Sequence, residues 1–162
     1  MKAIVLTMLL WVSIAAIGQT HFDLLPTNMR QYVGKVDRES FEQIVGPSVE
    51  ESEGYVYYQV INQSDGVPTS IRCFFRVEDS ILASCDFSTP HYLSYCIDFT
   101  MIEGYPKKQS EAEKKGLWYS RKGPFGHLYY VKMRFQGFGC QIYNMNRYKN
   151  TTTAYINYFI GN

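Results

Sequence analysis

The side chains with latent chemistry are four cysteines, Cys73, Cys85, Cys96 and Cys140, and three histidines, His21, His91 and His127. A cysteine nucleophile needs a free thiol beside a base, and a zinc site needs ligands at short, fixed spacings. No Cys-x-x-Cys pair occurs, and the histidines stand far in sequence from the cysteines and from one another. No G-x-S-x-G elbow or H-E-x-x-H helix is present either. The carboxylate pairs Glu50-Glu51 and Glu78-Asp79 lie in polar, turn-like stretches, whereas acid catalysis calls for a partly buried carboxyl with a shifted pKa. Gly123-Pro124-Phe125-Gly126 and Gln136-Gly137-Phe138-Gly139 each stand between strand-like runs and read as hairpin turns, not phosphate-binding loops. The residues predict no enzyme, no catalytic group, no metal and no cofactor.

The N-terminus gives the cysteines another meaning. Lys2, an apolar run from Ala3 to Ile14 and the small-residue stretch Ala16-Ile17-Gly18 read as a secretory signal peptide over residues 1–18. Removing those 18 of the 162 residues leaves 144, read as one secreted β domain over residues 19–162. An even number of cysteines in an oxidising compartment predicts two disulfides. Four cysteines allow three connectivities. Cys73 and Cys85 share the apolar side of one predicted hairpin, which favours Cys73 with Cys85 and leaves Cys96 with Cys140. The sequons at Asn62 and Asn150 lie in turn-like stretches and are candidate glycosylation sites.

The elements that must position these groups are mostly strands. Phe41, Ile44 and Val45 fall at i, i+3 and i+4 behind Asp37 as N-cap, with Gly46-Pro47 as the stop, a short N-terminal helix. From Gly54 onward the pattern has period two. Strands are predicted at 55–61, 70–77, 81–87, 93–102, 117–121, 127–135, 140–146 and 153–160. The long polar segment 103–116 is either a mobile loop or a short surface helix over 110–115. A mainly β fold follows, an antiparallel eight-stranded meander that must close into a barrel or stack as a sandwich; the sequential order favours the barrel, which removes its unpaired edges.

Fourteen Tyr and ten Phe supply an aromatic interior. The inward positions Phe75, Phe87, Phe99, Tyr129, Met133 and Phe135 are the candidates to line a ligand cavity, with the alternative that they simply fill the core. A net charge of +1 for the whole chain argues against a nucleic-acid partner. The charge is unevenly placed: residues 19–102 carry five basic and twelve acidic side chains, residues 103–162 ten and three. Lys107, Lys108, Lys114 and Lys115, with Arg121 and Lys122, could meet an acidic partner. The alternative, favoured on sequential closure, is that charges of the two halves pair across the sheet. No segment after the leader is apolar enough to span a bilayer as a helix.

The signal peptide, the helix ahead of the strands, Gly54-Tyr-Val-Tyr-Tyr-Gln-Val-Ile, Ser70-Ile-Arg-Cys-Phe-Phe and Phe135-Gln-Gly-Phe-Gly-Cys-Gln-Ile-Tyr together resemble the secreted lipocalins of blood-feeding arthropods, especially the tick salivary type. The resemblance covers about residues 35–160 as an order of elements. It implies an eight-stranded cup that sequesters a small apolar or amphiphilic ligand. The other expectation is an extracellular protein-interaction module, such as an effector, inhibitor or matrix component, with a filled core.

Overall fold

A computed structural model describes residues 19–122, 128–144 and 153–161. The predicted leader, the turn at 123–126, His127 and Asn150 lie outside the described residues. Among the described residues four short helices, α1 (Pro26–Met29), α2 (Arg38–Val45), α3 (Tyr92–Thr100) and α4 (Gln109–Lys114), pack with nine strands. The strands are β1 (Thr20–Phe22), β2 (Glu50–Ser52), β3 (Tyr55–Asn62), β4 (Pro68–Phe75), β5 (Leu82–Thr89), β6 (Trp118–Lys122), β7 (Leu128–Phe135), β8 (Phe138–Asn144) and β9 (Ala154–Ile160).

All nine strands join one sheet in the order β1-β3-β4-β5-β9-β8-β7-β6, with β2 also on β3. The mainly β expectation is met, as are most strand positions. The barrel is not seen: among the described residues the strand path is open, and β6 and the β1–β3 side are its two edges. Instead of meeting the first strand, β9 lies antiparallel to both β5 and β8 in mid-sheet. The cause is the stretch between β5 and β6. Residues 93–102, expected as a strand, form most of helix α3. Pro90 has no N–H to give a sheet ladder, and the Thr89 hydroxyl accepts the His91 N–H to turn the chain. Buried Tyr95, Phe99 and Ile102 then recur at helical spacing. The crossover through α3 and α4 starts β6 at the far edge and leaves the place beside β5 for β9.

Alternation puts one sheet face under the helices. Val56, Tyr58 and Val60 of β3, Ile71 and Cys73 of β4, Ile142 and Cys140 of β8, and Ile156 and Tyr158 of β9 are all buried there. A bulge opposite Phe74 and Phe75 resets β5, so Leu82, Cys85 and Phe87 are its buried apolar residues, although strict alternation would set Leu82 on the other face from Cys85 and Phe87. Helix α2 forms where its spacing predicts. The Asp37 carboxylate accepts the Ser40 N–H at 2.8 Å, and Phe41 and Val45 are buried, the Phe41 ring worth about 2 to 3 kcal/mol of apolar burial. Gln136 and Gly137, at φ 49° and 76°, make the two-residue turn that joins β7 to β8. Positive φ at both centres matches the right-handed twist of the hairpin.

Candidate functional site

Helix α3 is held against the sheet by Tyr95, Cys96 and Phe99, and its position is fixed by one carboxylate. Asp98 accepts the Thr27 backbone N–H at 2.7 Å and the Thr27 hydroxyl at 3.1 Å. Leu25, the N-cap of α1, has no side-chain acceptor of its own, so Asp98 serves as a cap supplied from 71 residues away. Between α3 so placed and the β6–β7 edge lies a cleft of about 480 Å³. Leu93, Cys96, Ile97 and Thr100 form its helix wall; Trp118, Ser120 and Val131 form its sheet wall; Lys107, Gln109 and Lys122 complete the lining.

The wall is mainly apolar and the charge in it is one-signed. Lys107 and Lys122 are exposed and make no ion pair among the described residues. The buried Trp118 Nε1 has no hydrogen-bond partner among the described residues, nor has the Tyr105 hydroxyl, and such orphaned donors cost stability unless a ligand or water meets them. Cys96, at the base, is no nucleophile. Burial pushes its thiol up to about 12, so it is neutral and unreactive at physiological pH.

The predicted cavity-lining residues lie elsewhere. Phe87, Phe99 and Met133 are fully buried, and Phe75 and Phe135 are partly buried against the core. Their rings meet other rings: Phe75 on Phe41, Phe87 on Tyr95 and Tyr158, Phe99 on Tyr105 and Phe138, Phe135 on Tyr105. They occupy the space between sheet and helices and none lines the α3–β6 cleft. The side chain of Tyr129 lies outside the described residues. All four cysteines are buried and unbonded in this structure. Cys73 and Cys85 are direct cross-strand partners, and burial is the main reason the Cys73 thiol is pushed well above its ordinary pKa, while burial and the neighbouring Cys96 do the same to Cys140. Asn62 is 1% exposed and its Nδ2 donates to the Tyr95 hydroxyl and Asp65, so a glycan there, which replaces one Nδ2 hydrogen, would cost one of these bonds.

The expected pairing of charge between the two halves does not occur among the described residues. Every ion pair stays within its own half: Arg38 with Glu42 and Glu51, Arg72 with Asp86, Arg76 with Asp79, Lys115 with Glu111. Insertion of β9 keeps β6 and β7 a full sheet width from β3, so the basic side stays basic.

The sheet's outer face is aromatic and polar. Tyr119, Tyr130, Tyr143 and Tyr155 form a ladder over β6 to β9, with successive ring centroids 5.6, 5.1 and 6.5 Å apart. It ends at a shallow groove of about 380 Å³. There the Arg72 guanidinium holds the buried Asp86 carboxylate through Nε at 3.1 Å, Tyr155 donates to the same carboxylate, and Arg72 lies 4.5 Å over the Tyr55 ring. Burial is the main reason the Tyr155 hydroxyl is pushed above its ordinary pKa, with the Asp86 bond adding to it. The groups satisfy one another, which marks a structural network.

No family model, curated protein or solved structure matches the chain. Functional reading therefore rests on the sites themselves. Sequence reasoning had named Lys107 and Lys122 as part of a basic surface but missed Leu93, Ile97 and Trp118. The available signal was the recurrence of Leu93, Ile97 and Met101 every four residues, which period-two reading of the same stretch concealed.

Proposed function

We propose that this is a secreted binding protein that takes a small amphiphile, with an apolar tail and an anionic head group, into the α3–β6 cleft. One observation carries the reading: an apolar cleft of about 480 Å³ opens beside two lysines that no carboxylate neutralises among the described residues. That volume is in the range of small-molecule sites, and a mostly apolar wall with few polar groups is their usual composition. Leu93, Ile97, Trp118 and Val131 would bury the tail; Lys107 and Lys122 would attract the head group. The reading needs no closed barrel, because the cleft lies between a helix and the sheet. Secretion also gives the cysteines a role: Cys73 with Cys85, and Cys96 with Cys140, would close as disulfides in an oxidising compartment.

The chain has two tryptophans, Trp11 in the predicted leader and Trp118 in the cleft. In the processed protein, tryptophan fluorescence therefore reports on the site. Titration with a homologous series of alkyl carboxylates is expected to shift Trp118 emission, with affinity rising about fourfold per added methylene until the cleft is full. Alkyl trimethylammonium ions of equal chain length should bind more weakly. Absence of any chain-length dependence, or stronger binding of the cations, would overturn the proposal. The second reading, an extracellular protein-interaction module with a filled core, is favoured by the ring packing of Phe75, Phe87, Phe99 and Phe135; a purified protein that binds no amphiphile would leave that reading.

A further inference from the structure

Helix α3 is apolar on two sides, and only one of them is covered. Tyr95, Cys96 and Phe99 face the core, whereas Leu93 is 61% exposed and Ile97 and Met101 are each 65% exposed. These three follow one another at i, i+4 and i+8, so they form one stripe along the helix. Single exposed apolar residues are ordinary, but an aligned row of large ones marks an interaction surface. What the stripe would meet is indicated by its surroundings. Leu93 and Ile97 border the same cleft as Lys107 and Lys122, so apolar and cationic groups share one surface. The adjoining segment 103–122 adds exposed Lys108, Lys114, Lys115 and Arg121. Against these six cations stand Glu103, Glu111 and Glu113; Glu111 pairs with Lys115, and Glu113 accepts from Gln109. No helix among the described residues is long and apolar enough to cross a membrane.

We infer that α3 is a docking surface for an anionic lipid bilayer, with Leu93, Ile97 and Met101 entering the interface while the lysines of the α3–β6 connection meet the head groups. A stripe of aliphatic side chains beside Lys107, Lys108 and Lys114, which make no ion pair among the described residues, is the composition of peripheral membrane contacts, in which apolar burial and attraction to anionic lipid act together. Such a contact would bring the mouth of the cleft against the lipid, where amphiphiles are most concentrated. That consequence rests on the proposed cleft function, but docking itself does not.

The test is co-sedimentation of the full processed protein with phosphatidylcholine vesicles, with and without phosphatidylserine. Binding is expected only with phosphatidylserine, and it should weaken as salt is raised. Met101, Lys108 and Lys114 do not line the cleft, so their variants separate docking from ligand binding. Met101→Glu should abolish capture. Lys108→Ala and Lys114→Ala should each weaken it about fivefold. All three should keep the wild-type thermal midpoint and alkyl carboxylate affinity. Equal capture by both vesicle types, capture of Met101→Glu at the wild-type level, or no capture of correctly folded wild type would overturn the inference. It would equally be overturned by a dimer that Met101→Glu dissolves without any vesicle binding, because the stripe's occupant would then be a second copy. Loss of carboxylate binding with vesicle capture intact would instead remove the cleft function alone.

Discussion

Asp98→Ala tests whether the site depends on the long-range cap between α3 and α1. The substitution removes two hydrogen bonds, from the Thr27 N–H at 2.7 Å and the Thr27 hydroxyl at 3.1 Å. Loss of an N-cap costs about 0.5 to 2 kcal/mol, and hydrogen bonds to charged groups contribute about 1.5 to 3 kcal/mol each. Asp98 is only half-buried, so water replaces part of what is lost, and about 2 kcal/mol is expected. For a domain of this size that lowers Tm by about 6 °C. Asp98→Asn keeps an acceptor for the Thr27 N–H and a donor for its hydroxyl but loses the charge, so about half the effect should remain. Thr27→Val removes only the hydroxyl bond and should cost least. Thermal unfolding followed by circular dichroism ranks the three, and hydrogen exchange should speed up at the Thr27 amide and along α3. Because α3 carries Leu93, Cys96 and Ile97, Asp98→Ala should also weaken alkyl carboxylate binding. A Tm within about a degree of wild type would refute the cap, and unchanged exchange along α3 would refute its role in positioning the helix.

Gly139 lies beneath the Phe159 ring, and a Cβ there would meet Phe159 Cζ at 2.3 Å; Gly139→Ala should cost about 1 to 3 kcal/mol in urea denaturation, and Phe159→Leu should relieve part of that loss. In the reduced, folded protein the Cys96 thiol, pushed up to about 12 by burial, should resist iodoacetamide at mildly alkaline pH and react on unfolding; rapid labelling of the native state would contradict its placement. Protein secreted from eukaryotic cells should give a non-reducing peptide map with Cys73–Cys85 and Cys96–Cys140 linkages, and a cross-linked Cys85–Cys96 peptide would contradict the pairing. The Ser40 N–H holds the Asp37 carboxyl below its ordinary value of 3.8. That contribution to stability is complete above the unfolded value and is lost as pH falls through the lower folded one, so Asp37→Asn should flatten the acid limb of the stability profile.

What the sequence determined by itself is local. Asp37, Phe41 and Val45 specify α2 because a cap and a helical apolar spacing need only nearby residues. The alternations in β3, β4, β7 and β9 specify strands, and one turn brings β4 and β5 together, although the bulge at Phe74 and Phe75 is what sets Cys73 directly opposite Cys85. Gln136-Gly137 specifies its turn because positive φ at both centres is a local demand. The segment 93–102 shows where local reading stops. Its apolar residues satisfy both period two and a helical spacing, and burial of Tyr95, Phe99 and Ile102 over the sheet decided for the helix. That choice carried the rest: the helical crossover opened the place beside β5, β9 filled it, and the two charged halves were held apart. The cleft is a product of the same step. Leu93 and Trp118 are 25 residues apart by their numbering, and no alternation along the chain can show that a helix wall and an edge strand will face each other. Phe75, Phe87, Phe99 and Phe135, expected in a cavity, pack in or against the core for the same reason, since helices laid across the sheet give the rings partners to pack against and leave the opening at the edge.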